Sequence, residues 1–377
     1  MSILPNSTQL ARRTAEKLVA SQHMPNVLIG FDGFIDTILH AVDTRQSASE
    51  YSRIRTLKDF GERIVAAAGK STNVEVVPQD VKLGGNGPIM ANAMAALGAD
   101  VTYLGMTGWP DVHDVFRELA SRARLLSVAD PALTDAYEFD DGKLIVGKHA
   151  TVADISYENI RRRLGESAFR QAWTNARFVG MVNWTMLPHM TELWQKMQDE
   201  FTASPADNNV RKTLFFDLAD PEKRTTEDLL DALRTISRFA GEHEVILGVN
   251  EKEAIHVAIA LGVPIHIKSE KADEKMILDL AQNIREKLGI AICLVHPTQF
   301  AGAASQSGTA LVHGPWTPQP KISTGAGDHF NAGFCAGHLI GASLEEALQI
   351  GVATSGFYVR NALSPGRAQL AEFLRSL

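Results

Sequence analysis

The run Ser323-Thr324-Gly325-Ala326-Gly327-Asp328 joins a flexible anion cradle to a carboxylate. Glycine, alanine and glycine leave backbone N–H groups unobstructed at a turn. The apolar run from Phe330 to Leu339, at helical spacing, starts a helix there, so an anion could sit on the helix N-terminus. Asp328 falls in the first turn of that helix, facing whatever the anion site holds. A carboxylate so placed orients a hydroxyl and takes its proton, which is the geometry of phosphoryl transfer to an alcohol. An Asp in that turn would also favour the helix dipole without doing any chemistry.

A second segment, Leu83-Gly84-Gly85-Asn86-Gly87-Pro88-Ile89-Met90-Ala91-Asn92-Ala93, puts a Gly-Gly turn before a small-residue helix, where a polyol could approach the main chain closely. The two segments, in this order, resemble the two signatures of the ribokinase-like (PfkB) carbohydrate kinase family. Asn250-Glu251-Lys252-Glu253 follows an apolar strand and resembles that family's Asn-x-x-Glu motif, which organises Mg²⁺ and its water around the nucleotide phosphates. The same string could simply cap a helix. Near the N-terminus, Gly30-Phe31-Asp32-Gly33-Phe34-Ile35-Asp36 is similar to the family's early acidic turn that holds sugar hydroxyls. Asp36 fits better than Asp32, although the spacing from Gly30 is one residue longer than usual.

These groups need elements that end where they sit. Apolar runs at 26–30, 101–105, 177–182, 213–217, 244–249 and 290–295 read as buried strands, with amphipathic helices at 186–201, 221–240 and 271–288 between them. Such alternation implies an α/β fold with a mostly parallel sheet covered on both faces. Ligands then collect at the carboxyl ends of the strands, where Gly30, Gly105, Asp217 and Asn250 lie. Residues 34–43, 72–83 and 125–150 carry β-type alternation without covering helices, with a helical insertion near 47–68. The resemblance implies a three-layer sandwich with a small β lid. Residues 1–33, 84–124 and 151–377 would form the large nucleotide- and substrate-binding domain, and 34–83 with 125–150 the lid. A lid would exclude water from the reaction, and in this family its exposed face pairs with a second subunit as a homodimer.

Composition sets outer limits. A chain of 377 residues with 45% hydrophobic content can bury a large core, and a net charge of −7 without long basic runs argues against a nucleic-acid partner. Arg161-Arg162-Arg163 reads as a solvated helix face. No apolar run is long enough for a membrane span and no signal pattern opens the chain, so a cytoplasmic location is expected. Cys293 and Cys335 sit in apolar elements, as buried thiols do.

The resemblance implies a kinase that transfers the terminal phosphoryl group of ATP to a hydroxyl of a sugar or sugar derivative. Asp328 would be the base, and the N–H groups of Gly325, Ala326 and Gly327 the anion hole. Asp36, Asp32, Gly84, Gly85 and Asn86 would hold the acceptor, and Asn250 and Glu253 the Mg²⁺, through water. Thr298, Thr324, Thr354 and Ser355 would border the nucleotide. A nucleoside kinase, an ADP-dependent sugar kinase and a non-catalytic sugar-binding regulator stay open as alternatives. The chain also departs from the family pattern. Ile89 stands where an Asn contacts the sugar. Val295-His296-Pro297-Thr298 replaces a Thr-x-Gly turn, leaving His296 or Thr298 as the substitute. Val359-Arg360-Asn361 replaces a glycine-containing turn by the adenine. Ile322 replaces the acidic residue of potassium-dependent members, so activity is expected to depend little on K⁺.

Overall fold

A computed structural model describes residues 5–21, 23–201, 211–265 and 273–377. In chain order the strands are β1 (Val27–Phe31), β2 (Phe34–Arg45), β3 (Tyr51–Arg53), β4 (Val76–Gly84), β5 (Val101–Gly105), β6 (Arg124–Ser127) and β7 (Ala132–Phe139). They continue as β8 (Gly142–Lys148), β9 (Phe178–Met181), β10 (Thr213–Asp217), β11 (Glu244–Val249), β12 (Ile292–Val295), β13 (Phe300–Ser305) and β14 (Gly308–His313). Nine of them form one sheet in the order β14-β13-β12-β11-β10-β9-β1-β5-β6. From β12 to β6 every neighbouring pair is parallel, and β13 and β14 add an antiparallel edge.

The apolar strands alternate between two cores, as a pleated sheet requires. Leu28, Leu104, Val179, Leu214, Phe216, Leu247 and Val295 point to one face, against the helices Met190–Phe201, Thr226–Phe239 and Glu274–Leu288. Ile29, Tyr103, Phe215, Ile246 and Leu294 point to the other, against Asn86–Ala96, Ala326–Leu339 and Leu344–Asn361. The chain is thus the three-layer α/β sandwich that the alternation implies.

A second sheet holds β3, β2, β7 and β8 in that order, with β4 paired to β2, over a small core of Ala41, Ile54, Phe60 and Phe139. Two boundaries differ from the sequence reading. Residues 125–127, counted in the lid by the sequence reading, belong to β6 and pair with β5 in the large sheet, because Leu125 and Leu126 pack on the two main cores. The helical insertion near 47–68 is β3 followed by a helix only over Leu57–Val65, capped by the Thr56 hydroxyl on Asp59 N–H. The start of the helix read at 271–288 lies partly outside the described residues; its described part is Glu274–Leu288. Among the described residues no helix is long and apolar enough to cross a membrane.

Candidate active site

The helix Ala326–Leu339 begins after Gly325, whose φ of +88° is left-handed and suits glycine. A Cβ there would lie 3.1 Å from the Tyr358 hydroxyl and 3.3 Å from Ile89 Cγ2. Of the three N–H groups read as an anion hole, those of Gly325 and Gly327 have no partner among the described residues. That of Ala326 donates to Ser323 O at 3.1 Å, a correction to the sequence reading that follows from the tightness of the turn. Asp328, in the first helical turn, is 8% exposed and accepts a 2.9 Å hydrogen bond at Oδ1 from the Asn86 side-chain amide. Burial, reinforced by the charges of Asp32 and Glu253, pushes its carboxyl up to about 8 despite that bond.

Asn86 is itself placed by Asp32. The helix Asn86–Ala96 has no side-chain cap of its own at Gly85. Instead the Asp32 carboxylate, just past β1, accepts the backbone N–H groups of Asn86 (2.9 Å) and Gly87 (2.8 Å) and the Asn183 amide (2.6 Å). It is a helix cap delivered from another strand. Asp32 is fully buried and shifted to about 6 by desolvation, so the reading of Asp32 as a sugar-holding residue is corrected: both its oxygens are engaged by protein donors. Asp36 does line the cavity beside Asp328. Burial raises its carboxyl, against the lowering influence of Lys82, its cross-strand partner. A Cβ on Gly84 would run into the Asp36 carboxylate, so Gly84 shapes the site from beneath while Gly85 and Asn86 line it.

The sequence reading missed Asn183 here and gave Asp217 no role beyond its place at a strand end. Asn183, just beyond β9, is a non-glycine residue at φ +60°; its amide is tied to Asp32 and its Oδ1 is buried without a partner in the cavity wall. Asp217, at the end of β10, lies at the floor, held by the Asn331 amide (2.7 Å) and Ala219 N–H (2.9 Å). Burial and the charges of Glu253 and Asp328 push its carboxyl well up. The available signal for both was position, a polar residue at or just past the end of an apolar strand.

Asn250 and Glu253 form a capping box at the start of the helix Glu251–Ala260. Glu253 accepts the N–H groups of Asp220 and Asn250, both at 2.9 Å, and Asp220 reaches it because Ala219 and Asp220 are both left-handed. Glu253 and Asn250 both line the roofed cavity. Among the described residues no three His, Cys, Asp or Glu side chains converge as a direct metal-ligand set.

Two cavities, of about 560 and 590 Å³, meet at this turn and share Asn250, His296, Ser323, Ala326 and Gly327. The first is roofed by the second sheet through Asp36, Thr134 and Lys143. The second runs outward past Thr298, Trp316 and Ser355. Thr324 lines the first cavity only. Thr354 lines neither: fully buried, it donates to Ile350 O at 2.7 Å and packs on Gly333 between two helices, so its reading as a nucleotide contact is corrected. Ile89 likewise lies behind Gly325, lining neither cavity, where an apolar side chain packs and a sugar contact is out of reach.

The prokaryotic ketohexokinase family model matches residues 5–376. A ketohexokinase of Haloferax volcanii is 29% identical over 349 residues, covering 92% of this chain and 90% of that protein. Among solved structures, a putative ribokinase II of E. coli in complex with ATP and Mg²⁺ superposes with a TM-score of 0.63 at 14% identity, covering 94% of this chain and 100% of the other. Arabidopsis thaliana ribokinase complexed with ribose and ATP gives 0.62 at 17% identity, covering 94% and 99%. At those identities the structures show the fold, and the family model spans nearly the whole chain. This chain belongs to the prokaryotic ketohexokinase family, within the ribokinase-like carbohydrate kinases, and is a sugar kinase.

Proposed function

We propose that the enzyme transfers the γ-phosphoryl group of ATP to a hydroxyl of a ketohexose. The observation that carries the reading is the meeting of two cavities at the unpartnered Gly325 and Gly327 N–H groups, with Asp328 in the wall of the roofed one. The acceptor would occupy that roofed cavity, with hydroxyls on Asp36 and on the free Oδ1 of Asn183. The nucleotide would lie in the other, with Thr298 and Ser355 beside it. Asp328, in its ionised form, would accept the proton of the attacking hydroxyl, and the turn's N–H groups would meet the charge on the transferring phosphoryl group. Asp217, Glu253 and Asp328 leave a surplus of buried carboxyl groups near the phosphates, and that donor set suits a hydrated Mg²⁺ on Asn250 and Glu253. When bound there, the ion would supply positive charge against the phosphate oxygens. The second sheet would act as the lid that keeps water from the acceptor. Its outer face exposes Val81, Leu133 and Val146, where a second copy would pair, and sedimentation velocity checks that homodimer.

The test is a rate panel of ketohexoses, aldohexoses, ribose and nucleosides, each with ATP and with ADP. Turnover is expected with a ketohexose and ATP. Preference for a nucleoside or for ADP would replace this reading, and saturable sugar binding without turnover would make the protein a regulator.

His296, not Thr298, would take the place of the missing Thr-x-Gly turn. Its ring lines both cavities beside Gly327 and packs on Phe330 at 4.8 Å. Burial pushes it down to about 4, so near neutral pH it is an uncharged N–H donor. His296→Phe, which keeps a ring and removes the donor, is expected to lower kcat about 10- to 100-fold with sugar KM unchanged. Steady-state kinetics check it, and His296→Asn should recover part of the loss.

A further inference from the structure

Behind the anion-hole turn, on the side away from both cavities, two aromatic side chains hold the turn's carbonyl groups. The Tyr358 hydroxyl donates to Thr324 O at 2.9 Å. His329 lies 2.7 Å from Gly325 O through Nδ1 and 2.8 Å from the Ser364 hydroxyl through Nε2. A carbonyl only accepts, so Nδ1 carries the proton and Nε2 accepts from Ser364. The two rings stack at 3.6 Å with 13° between their planes, so each fixes the other's orientation. Both groups stay uncharged across the working range, the phenol protonated and the imidazole with a single N–H, because burial lifts the Tyr358 phenol to about 12 and pushes the His329 imidazole down to about 4.

A peptide unit is planar and trans, so its C=O and N–H point in opposite directions. Pinning Thr324 O from behind therefore aims Gly325 N–H forward, toward the roofed cavity that Gly325 lines. We infer that Tyr358, locked by its stack on His329, is the positioning residue for the anion hole: its hydroxyl holds the Thr324–Gly325 peptide in the orientation that presents Gly325 N–H to the transferring phosphoryl group. Carbonyl oxygens at such a turn attract either a proton donor or a bound cation. Here the protein supplies the donor, and Ile322, two residues before Thr324, supplies no side-chain oxygen for a cation. The inference rests on the phosphoryl-transfer reading of the site.

Tyr358→Phe keeps the ring and its stack on His329 and removes only the hydroxyl donor. Its expected result is a kcat about tenfold lower, sugar KM within twofold of wild type and an unchanged melting temperature, since the effect falls on a transition-state contact. The wild-type rate is expected to be the same in K⁺ as in tetramethylammonium at equal ionic strength. Tyr358→Leu, which also breaks the stack, should lose more kcat than Phe. Wild-type kcat in Tyr358→Phe would overturn the proposal, as would a loss matched by equal changes in KM and melting temperature. A wild-type rate that falls about tenfold without K⁺ would overturn it too, because a cation and not the hydroxyl would then hold the carbonyl. Failure of the kinase reading itself looks different: no sugar would be turned over by the wild-type protein.

Discussion

Asp328→Asn is expected to lower kcat about 10²- to 10⁴-fold, the usual cost of losing a general base. The amide keeps the shape of the carboxyl and can still accept from Asn86, so the hydroxyl should bind and stay in place with no group to take its proton. Sugar and nucleotide KM are therefore expected to hold within a few-fold, and steady-state kinetics separate the two effects. Near-normal kcat would remove Asp328 from the mechanism. The same substitution has an opposite effect on stability. The Asp328 carboxyl titrates near 8 in the folded chain, above its ordinary value of 3.8. The folded state thus holds a proton that the unfolded chain releases. That contribution is whole below pH 4 and is lost as pH rises through 8, at up to about 1.4 kcal/mol per pH unit. Asparagine cannot ionise. Ligand-free Asp328→Asn should match wild type near pH 4 in urea unfolding and become the more stable protein by pH 8.5.

Asp32→Ala carries the second large effect, although Asp32 touches no substrate in the proposed site. Removing the carboxylate leaves the N–H groups of Asn86 and Gly87 and the Asn183 amide without their acceptor. Each buried unsatisfied donor costs about 1–3 kcal/mol. Against this stands the relief of a buried charge, visible in the upward shift of the Asp32 carboxyl to about 6. Three donors outweigh one desolvated carboxylate, and a net loss of about 2–4 kcal/mol is expected at pH 7. Function should fall as well, because the freed helix carries Asn86, the hydrogen-bond partner of Asp328, and the freed Asn183 faces the acceptor. A drop in kcat/KM of tenfold or more is expected, about 1.4 kcal/mol or more of transition-state stabilisation. Equilibrium unfolding and sugar kinetics on the same preparation check both. A variant within 0.5 kcal/mol of wild type, a difference of about twofold in the unfolding constant, would show that water replaces the carboxylate and that Asp32 does not organise the site.

The comparison of Asp32 with Asp36 shows where sequence reasoning stops. Both follow β1 within a few residues and both are acidic. Their roles separate because β2 runs along β4, which sets Asp36 opposite Lys82 on the cavity side, while Asp32 faces the start of the helix Asn86–Ala96. Thr354 and Ser355 divide in the same way. One residue of offset on the helix Leu344–Asn361 turns Thr354 into the helix–helix contact and Ser355 toward the outer cavity.

What the sequence determined by itself was local or periodic. Alternating apolar strands and amphipathic helices specified a parallel sheet covered on both faces, because side-chain periods of 2 and 3.6 are properties of single elements. The glycine turns before Asn86 and Ala326 marked two helix N-termini, and the placement of Asp328 one turn into a helix needed no distant partner. The tertiary structure decided what meets what. Asn86 reaches Asp328 across 242 residues, and Tyr358 reaches Thr324 across 34. Asn183 and Asp217 arrive at the same floor because β9 and β10 lie side by side next to β1. No periodic signal in the chain encodes those meetings, since they depend on the order in which strands enter the sheet. Buried carboxyl groups acquire their shifted titration only once that order has brought them together out of water.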